Sequence, residues 1–248
     1  MPLKGRLTKE SLGFSMPSYA PLYPKPPYFY KNASLMVFPY ETTESAAQMV
    51  PNVVELADPP TAGLVFANYP SSNLGPYDEV VQYIDVVFGG VKFKYATFLY
   101  VTSDSAMAAG RENGGYPKKI GKIEFLPGPA WTAVLERPAG LRICSGTMRP
   151  EQKLPAAMAP APLTLQYLTL RFFPSPQVNQ PPTLSEILKT QWTVDPVEVW
   201  AGTGSCQYTG ASALDPLQLA PIVKALPCEF ITGNIHVDLD TVPSETPF

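Results

Sequence analysis

Apolar residues in this chain come mostly in short runs with a two-residue period, which is typical of β-strands. Such runs cover residues 62–69, 80–88 and 94–102, each bounded by turn-forming residues. In the second run the alternation is only partial, since apolar side chains occur at both odd and even positions from Val80 to Val87. A strand of this kind is predicted to be buried on both sides, as in the wall of a barrel.

The second half of the chain continues the same pattern. A hairpin is predicted within residues 122–145, and further strands are predicted at 164–173, 191–199 and 230–237. Residues 149–162 are rich in proline and alanine and are predicted to form a loop. The many short strands and few helices predict a β-dominated α+β fold, in which an antiparallel β barrel or cone carries a few helices packed outside.

Three segments depart from the strand pattern and predict helices. Residues 43–55 are expected to form a short helix that Pro51 ends, and residues 213–226 are expected to be mostly helical despite two prolines. A third helix is expected to begin at a cap near Ser103 and to stop at the glycine pair 114–115.

The organisation of the chain predicts a single domain spanning residues 1–248. Residues 1–30, rich in proline and tyrosine, are predicted to form an extended N-terminal arm that wraps the body of the protein. A chain of 248 residues with 45% hydrophobic residues can bury a sizeable core. The 30 prolines are about twice the usual share. We interpret the prolines as breaks between short strands and helices.

Composition narrows the functional classes. The net charge is −3 and the basic residues are scattered, so no nucleic-acid partner is predicted. Three cysteines are too few for a disulfide framework, and a single histidine, His236, excludes multi-histidine metal sites. The N-terminal residues lack a signal-like apolar segment, and no apolar run has the length of a membrane span. The sequence therefore predicts a cytoplasmic protein without a membrane partner.

A pair of adjacent lysines, Lys118 and Lys119, follows the turn-forming residues 114–117 in a chain with only 16% charged residues. On composition alone, such a turn most often lies at the solvent surface. A lysine among apolar neighbours and beside a second cation loses its proton more easily, because desolvation and like-charge repulsion both disfavour the ammonium ion. A neutral lysine amine attacks ketones and forms Schiff bases, and this chemistry requires no cofactor.

The residues around this turn resemble a known family. Residues 110–112 (GRE) and 116–119 (YPKK) are similar to the signature of the acetoacetate decarboxylase family, and residues 74–79 (LGPYDE) resemble the segment that carries its active-site glutamate. The resemblance covers most of residues 20–225. It implies a cone-shaped β barrel, a homo-oligomer and a small-molecule keto substrate.

The resemblance also implies roles for individual residues. In that family the first lysine of the pair forms the Schiff base and the second lowers its pKa. Lys118 is therefore predicted to be the nucleophile, Lys119 its activating neighbour and Glu79 a proton shuttle. The remaining motif residues are predicted to support the lysine turn: Arg111, Glu112 and Tyr116.

Two positions depart from the family pattern. The arginine that holds the substrate carboxylate in the family's decarboxylases is matched by Ala33, and a second acidic position falls on or near Leu64. Guanidinium contacts are what would fix a small anionic substrate, so acetoacetate itself does not follow from the resemblance. The sequence predicts a lyase that acts on a β-keto acid or related ketone, by decarboxylation through an enamine. The substrate can then be a larger, more apolar β-keto acid that is held by shape.

Two alternatives stay open. The same lysine imine can serve carbon–carbon bond formation, retro-aldol cleavage, dehydration or cyclisation. The chain can also be a non-catalytic β-barrel protein that binds a small molecule. The joint presence of Lys118, Lys119 and Glu79 argues against the second alternative, because a binding protein has no chemical need for all three.

Overall fold

The computed structural model describes residues 2–126, 128–155, 162–210 and 212–239, and the backbone alone for 243–247. Strands dominate this part of the chain. They are β1 (Tyr28–Glu41), β2 (Glu55–Leu56), β3 (Thr61–Tyr69), β4 (Ser71–Ser72), β5 (Tyr77–Phe88), β6 (Val91–Val101), β7 (Lys118–Ile120), β8 (Lys122–Leu126), β9 (Trp131–Glu136), β10 (Arg142–Lys153), β11 (Leu163–Phe173), β12 (Leu184–Tyr208), β13 (Lys224–Ala225), β14 (Cys228–Asp238) and β15 (Pro243–Pro247). The helical elements are α1 (Asp104–Gly114) and short 3-10 turns at Lys9–Ser11, Glu44–Met49 and Leu217–Leu219.

Seven of the strands pair into a closed ring. The order is β11-β6-β5-β3-β1-β14-β12, and β12 pairs back with β11. The β11–β6 pair is parallel and the other ring pairs are antiparallel. Strand β12 also pairs with β10. Strands β10, β9 and β8 pair in that order and extend the sheet outside the ring. The predicted β-dominated α+β class, with a sheet that closes on itself, is confirmed.

The core lies on both faces of the ring wall. Along β5, Glu79, Val81 and Tyr83 point into the ring, while Val80 and Ile84 point outward, and all five are buried. Strand β5 is therefore buried on both sides, as its partial alternation predicted. We call the apolar group inside the ring the inner cluster; it includes Leu35, Val65, Ala67, Leu99 and Trp192. We call the group between the ring and the β8–β10 extension the outer cluster; it includes Met36, Leu64, Phe66, Ile123 and Leu135.

Helix α1 packs against the inner cluster and ends where the sequence predicted. The Ser103 hydroxyl accepts a hydrogen bond from the amide of Ala106, and this bond caps the first turn. The chain leaves the helix at Gly115, whose φ of 63° lies in the left-handed region. A Cβ at Gly115 would also lie 2.8 Å from the backbone of Arg171, so only glycine fits there. Pro117 then prevents further helix, and β7 begins at the next residue.

The predicted helix over residues 213–226 is wrong. The structure has only the 3-10 turn Leu217–Leu219 and the two-residue strand β13 in this region. Pro216 and Pro221 remove amide donors and restrict the preceding residues, which outweighs the helical preference of the leucines and alanines between them. The predicted loop at 149–162 is also shorter than expected, because β10 continues to Lys153. Residues 156–161 of that loop lie outside the described residues.

The N-terminal region has little regular structure before β1. Residues 2–27 contain the single 3-10 turn Lys9–Ser11. Their role as an arm and the single-domain organisation stay predictions. Within the residues described above, no helix is both long and apolar enough to cross a membrane.

Candidate active site

The structure brings Lys118 and Glu79 together inside the ring. Strand β6 lies between them: its Val101 pairs with Glu79 on β5, and its Leu99 pairs with Lys118 on β7. The Nζ of Lys118 lies 2.6 Å from Oε2 of Glu79. The two side chains are 4% and 0% exposed. A lysine and a glutamate thus share one buried hydrogen bond, an arrangement that occurs at catalytic sites as well as in structural ion pairs.

The walls around Lys118 are aromatic and tightly packed. Its Nζ lies 5.6 Å from the ring centroid of Tyr77 and 5.9 Å from that of Tyr116. The aliphatic part of the lysine packs on α1 at Gly110, where a Cβ would lie only 2.6 Å from Lys118 Cδ and Cε. Glycine at position 110 therefore lets the helix approach the lysine, which gives a physical reason for its place in the motif.

The second carboxylate oxygen of Glu79 is free for a ligand. Oε1 is buried and has no hydrogen-bond partner among the described residues. Buried polar atoms are rarely left in this state outside functional sites, because an unmade hydrogen bond costs about 1–3 kcal/mol. A substrate hydroxyl or a transferred proton at Oε1 would satisfy it.

A group of tyrosines around Glu79 was not predicted from the sequence. The Tyr77 hydroxyl donates to that of Tyr30 at 3.1 Å, and the ring of Tyr69 lies 4.6 Å from Tyr30 and 4.9 Å from Tyr77. Burial raises the pKa of all three hydroxyls, and the nearby charge of Glu79 raises them further. These tyrosines therefore stay neutral and line the site with weakly polar walls. Tyr69 ends a predicted strand, Tyr77 lies just before another, and Tyr30 ends the predicted N-terminal arm, but nothing in the sequence shows that the three meet.

The structure does not bring Lys119 to Lys118. Consecutive residues of a strand point to opposite faces, and the Nζ of Lys119 instead donates to Oδ1 of Asp215 at 2.9 Å and to the Leu214 carbonyl. Asp215 also accepts from the Tyr100 hydroxyl at 3.1 Å. The charge of Lys119 is thus compensated on the far side of β7, away from Lys118.

The Asp215 carboxylate has a lowered pKa. Burial alone would raise it, but the hydrogen bond and charge of Lys119, the Tyr100 hydroxyl and the charge of Arg137 together hold the pKa below its ordinary value of 3.8. A group whose pKa is lower in the folded state stabilises the fold above its unfolded pKa, and this stabilisation is lost as the pH falls through the folded value.

Replacement of Asp215 by asparagine is therefore expected to lower the free energy of unfolding by about 2 kcal/mol at neutral pH, the scale of hydrogen bonds to a charged group. The loss should shrink as the pH falls below the ordinary value of 3.8, and it should vanish below the lower folded pKa, where wild-type Asp215 is itself protonated. Urea unfolding at several pH values measures this difference. If the difference in free energy of unfolding does not change with pH, the charge of the Asp215 carboxylate does not stabilise the fold.

The three predicted supporting residues have separate contacts. Arg111 donates from Nη1 to the carbonyl of Lys118 at 3.1 Å, so it holds the backbone of the lysine turn. The carboxylate of Glu112 accepts from the Tyr23 hydroxyl and ties the N-terminal segment to α1. The Tyr116 hydroxyl is hydrogen-bonded to Thr190 and accepts from Trp192 Nε1 at 2.6 Å. Arg111 is thus hydrogen-bonded to the lysine turn and Tyr116 to β12, while the carboxylate of Glu112 contacts the N-terminal segment.

An apolar cavity of about 300 Å³ lies inside the ring next to this pair. Tyr116 and Trp192 border both the cavity and a small space of about 20 Å³ at Lys118. The Nζ of Lys118 therefore lies behind these two rings and is not itself part of the cavity wall. The hydrogen bond between Trp192 and Tyr116 closes this border, so a ketone in the cavity reaches the amine only when the two side chains move apart.

The two positions that depart from the family lie in different places. Ala33 is buried in the inner cluster, close in the fold to Tyr30 and Tyr69. Leu64 belongs to the outer cluster, on the opposite face of β3 from Ala67, which pairs with Glu79. Leu64 therefore points away from the site, and only Ala33 bears on how a substrate is held.

Comparison with known proteins decides the family. The family model for acetoacetate decarboxylase (ADC) matches residues 15–245. The chain belongs to the acetoacetate decarboxylase family. Among curated relatives of this family, Decarboxylase DEC1 of Cochliobolus heterostrophus is 26% identical over 247 residues, covering 94% of this chain and 95% of that protein. Acetoacetate decarboxylase of Chromobacterium violaceum is 29% identical over 234 residues, covering 92% and 93%.

Solved structures of the acetoacetate decarboxylase family have the same fold. A structure from structural studies of acetoacetate decarboxylase superposes with a TM-score of 0.87 at 24% identity, covering 97% of this chain and 100% of the other. The enduracididine biosynthesis enzyme MppR, with HEPES buffer bound, has a TM-score of 0.79 at 16% identity and 98% coverage of both chains. The relatives named as decarboxylases support a decarboxylase-like enzyme for this chain.

Proposed function

We propose that this protein is a lyase that removes carbon dioxide from a β-keto acid through a Schiff base on Lys118. The observation that carries the proposal is the buried 2.6 Å contact between the Lys118 amine and the Glu79 carboxylate, next to an apolar cavity large enough for an organic acid. The family relatives named as decarboxylases support the same reaction class.

The reaction begins with proton transfer within the ion pair. Glu79 takes a proton from Lys118 through their shared hydrogen bond, which leaves a neutral amine and a neutral acid in a site where burial disfavours both ions. The amine attacks the ketone carbon of the substrate. Glu79 then returns its proton to the hydroxyl of the carbinolamine, water leaves, and a protonated imine remains.

The imine drives the loss of carbon dioxide. The bond between the α-carbon and the carboxylate breaks, and its electron pair moves into the cationic imine to give a neutral enamine. Glu79 is a carboxylate at this stage, so it takes up one proton from solvent and passes it to the α-carbon, which restores a protonated imine. Water then hydrolyses this imine, which releases the ketone product and restores the Lys118 ammonium beside the Glu79 carboxylate. Charge is conserved at each step without a cofactor.

Activation of the amine is assigned to burial and to Glu79. Lys119 pairs with Asp215 on the far face of β7, so we give it the structural role of fixing the strand that carries Lys118. Arg111 holds the same strand through the Lys118 carbonyl. Like-charge repulsion by Lys119, which the sequence predicted, has no support in this geometry.

A second candidate is carbon–carbon bond chemistry other than decarboxylation. It is favoured by Ala33, because no guanidinium occupies that position to select a carboxylate next to the ketone. A structure of MppR, which shares the fold, holds the condensation product of pyruvate and imidazole 4-carboxaldehyde. The same imine in this chain would act as an aldolase or dehydratase if the enamine attacked an aldehyde before protonation.

Borohydride reduction tests the shared intermediate. The protein is incubated with acetoacetate, pyruvate or a longer β-keto acid, reduced, and examined by intact mass and peptide mapping. We expect one adduct, on Lys118, that is absent from Lys118→Arg. The matched control Lys122→Arg changes an exposed lysine and should keep the adduct. Adducts spread over surface lysines, or none with any ketone, would contradict the imine mechanism.

A further inference from the structure

The cavity next to the Lys118–Glu79 pair is apolar except at its outer end. Its walls are aliphatic and aromatic side chains from the ring strands, among them Leu35, Val37, Val65, Val81, Leu99, Leu165, Tyr167, Trp192, Val194 and Ile231. The charged side chains in the wall are Lys94 and Glu229. A surface of this kind binds hydrocarbon, because removing apolar area from water is the main favourable contribution it can make.

The two ends of the cavity are distinguishable. At the inner end, Tyr116 and Trp192 are buried and border the space at Lys118. At the outer end, Pro227 and Glu229 are exposed to solvent. The cavity therefore runs from the two side chains that border the space at Lys118 to the protein surface, and a long ligand can extend past its rim.

The strand register gives the length of this path. Leu35 pairs with Ala67, which in turn pairs with Glu79, so Leu35 marks the inner end. Val37 and Pro39 follow on the same face of β1 and also line the cavity. At about 3.3 Å per residue, four residues span about 13 Å. With carbon–carbon bonds of about 1.5 Å and bond angles near 111°, an extended alkyl chain of roughly ten carbons covers this distance.

The charges at the outer end do not compete for the substrate's carboxylate. The Nζ of Lys94 is bonded to Asp85 at 2.8 Å and lies 3.9 Å from the centroid of the Tyr83 ring, so its charge is already compensated. Glu229 is anionic and repels a carboxylate at the rim. A keto acid is therefore bound with its reactive head inward and its tail towards the surface.

We propose that the substrate is a β-keto acid with an unbranched apolar tail of roughly ten carbons that fills this cavity, a length set by the strand rise. The inference rests on the proposed function, because it takes Lys118 as the point where the ketone carbon is held. Acetoacetate has only a methyl group in place of the tail and leaves the cavity unfilled. Binding energy from the tail replaces the carboxylate anchor that Ala33 does not provide.

A homologous series of acids tests the proposal by release of carbon dioxide. Each buried methylene contributes up to about fourfold in affinity, so kcat/KM should rise steeply from acetoacetate through β-ketooctanoate to β-ketododecanoate. We expect a total gain of at least about 100-fold. For β-ketohexadecanoate the value should level off, because the added carbons lie outside the rim. If acetoacetate is decarboxylated and kcat/KM stays constant or falls as the chain lengthens, the tail proposal is wrong, but the proposed decarboxylase function still holds.

Binding of neutral ketones tests whether the cavity holds the tail, independently of the decarboxylation reaction. Methyl nonyl ketone, the decarboxylation product of β-ketododecanoate, is titrated against acetone by tryptophan fluorescence, since Trp192 lines the cavity. Tight binding of methyl nonyl ketone alone supports the tail even if no acid is decarboxylated, in which case only the proposed function fails. Equal and weak binding of both ketones overturns the tail proposal.

A pair of matched variants locates the tail. Val37→Trp narrows the cavity near its rim and is expected to lower the β-ketododecanoate to acetoacetate ratio of kcat/KM by at least about tenfold, the scale of two or more displaced methylenes. Val197→Trp places the same side chain at an exposed position of β12 and should keep the wild-type ratio. An unchanged ratio in a folded Val37→Trp protein would mean that the tail takes another path.

Discussion

A Lys118→Met variant is expected to lose decarboxylation of any β-keto acid by on the order of 10⁴-fold or more, because it lacks the amine that forms the proposed imine. Methionine has a similar length without the amine, so it refills the space beside Gly110 and Tyr116. The measurement is the initial rate of carbon dioxide release, paired with borohydride trapping of the same protein.

Folding must be measured alongside, because the variant leaves the Glu79 carboxylate buried without its partner. Removal of one member of a buried ion pair costs about 3–5 kcal/mol. The double variant Lys118→Met with Glu79→Gln removes both charges and should regain much of that stability while staying inactive. A folded double or single variant that kept a tenth of the wild-type rate would show that Lys118 is not the nucleophile.

Replacement of Glu79 by glutamine is expected to lower kcat by about 10²–10⁴-fold, the range for loss of a general acid–base group. The amide keeps the shape of the side chain but cannot take the lysine proton or return it to the carbinolamine. Borohydride should still trap ketones on Lys118, at a lower rate, because the amine remains and only its proton acceptor is gone.

The matched control is Glu112→Gln, which changes a carboxylate of the same motif whose contact is with Tyr23 on the N-terminal segment. It should keep a kcat within about threefold of wild type, the size expected for a residue outside the chemistry. If Glu79→Gln and Glu112→Gln lowered kcat equally, the two carboxylates would share a structural role, and Glu79 would lose its place as the proton shuttle.

The fold was predictable where local signals agree with the tertiary environment. The Ser103 cap, the Gly115 stop and Pro117 define α1 and the start of β7 from the sequence alone. The segment at 213–226 was mispredicted because its leucines and alanines favour helix, while Pro216 and Pro221 and contacts from distant strands decide its path. The closure of the ring depends on the register between strands far apart in sequence, which no local pattern encodes.

The candidate site was also only partly predictable from the sequence. Lys118 and Glu79 were predicted from a motif, and the structure places them in contact. The family resemblance implies that Lys119 lowers the pKa of Lys118, but consecutive residues of a strand point to opposite faces, and Lys119 pairs with Asp215. Nothing in the sequence assigned a role to Asp215. Its contact with Lys119 joins residues that lie almost 100 positions apart in the chain, a distance at which spacing carries no signal.

The pairing of β1 with β14 decides when this protein can become functional during its synthesis. Tyr28 pairs with Val237, so the ring has a gap until β14 has left the ribosome. Strands β3, β5 and β6, with β7 beside them, emerge early and can carry Glu79 and Lys118 on an open sheet whose apolar inner face has no cover. Unpaired edges and exposed apolar surface of this kind favour aggregation. A nascent chain that stalls before β14 is therefore expected to depend on chaperones, although both reactive residues are already in place.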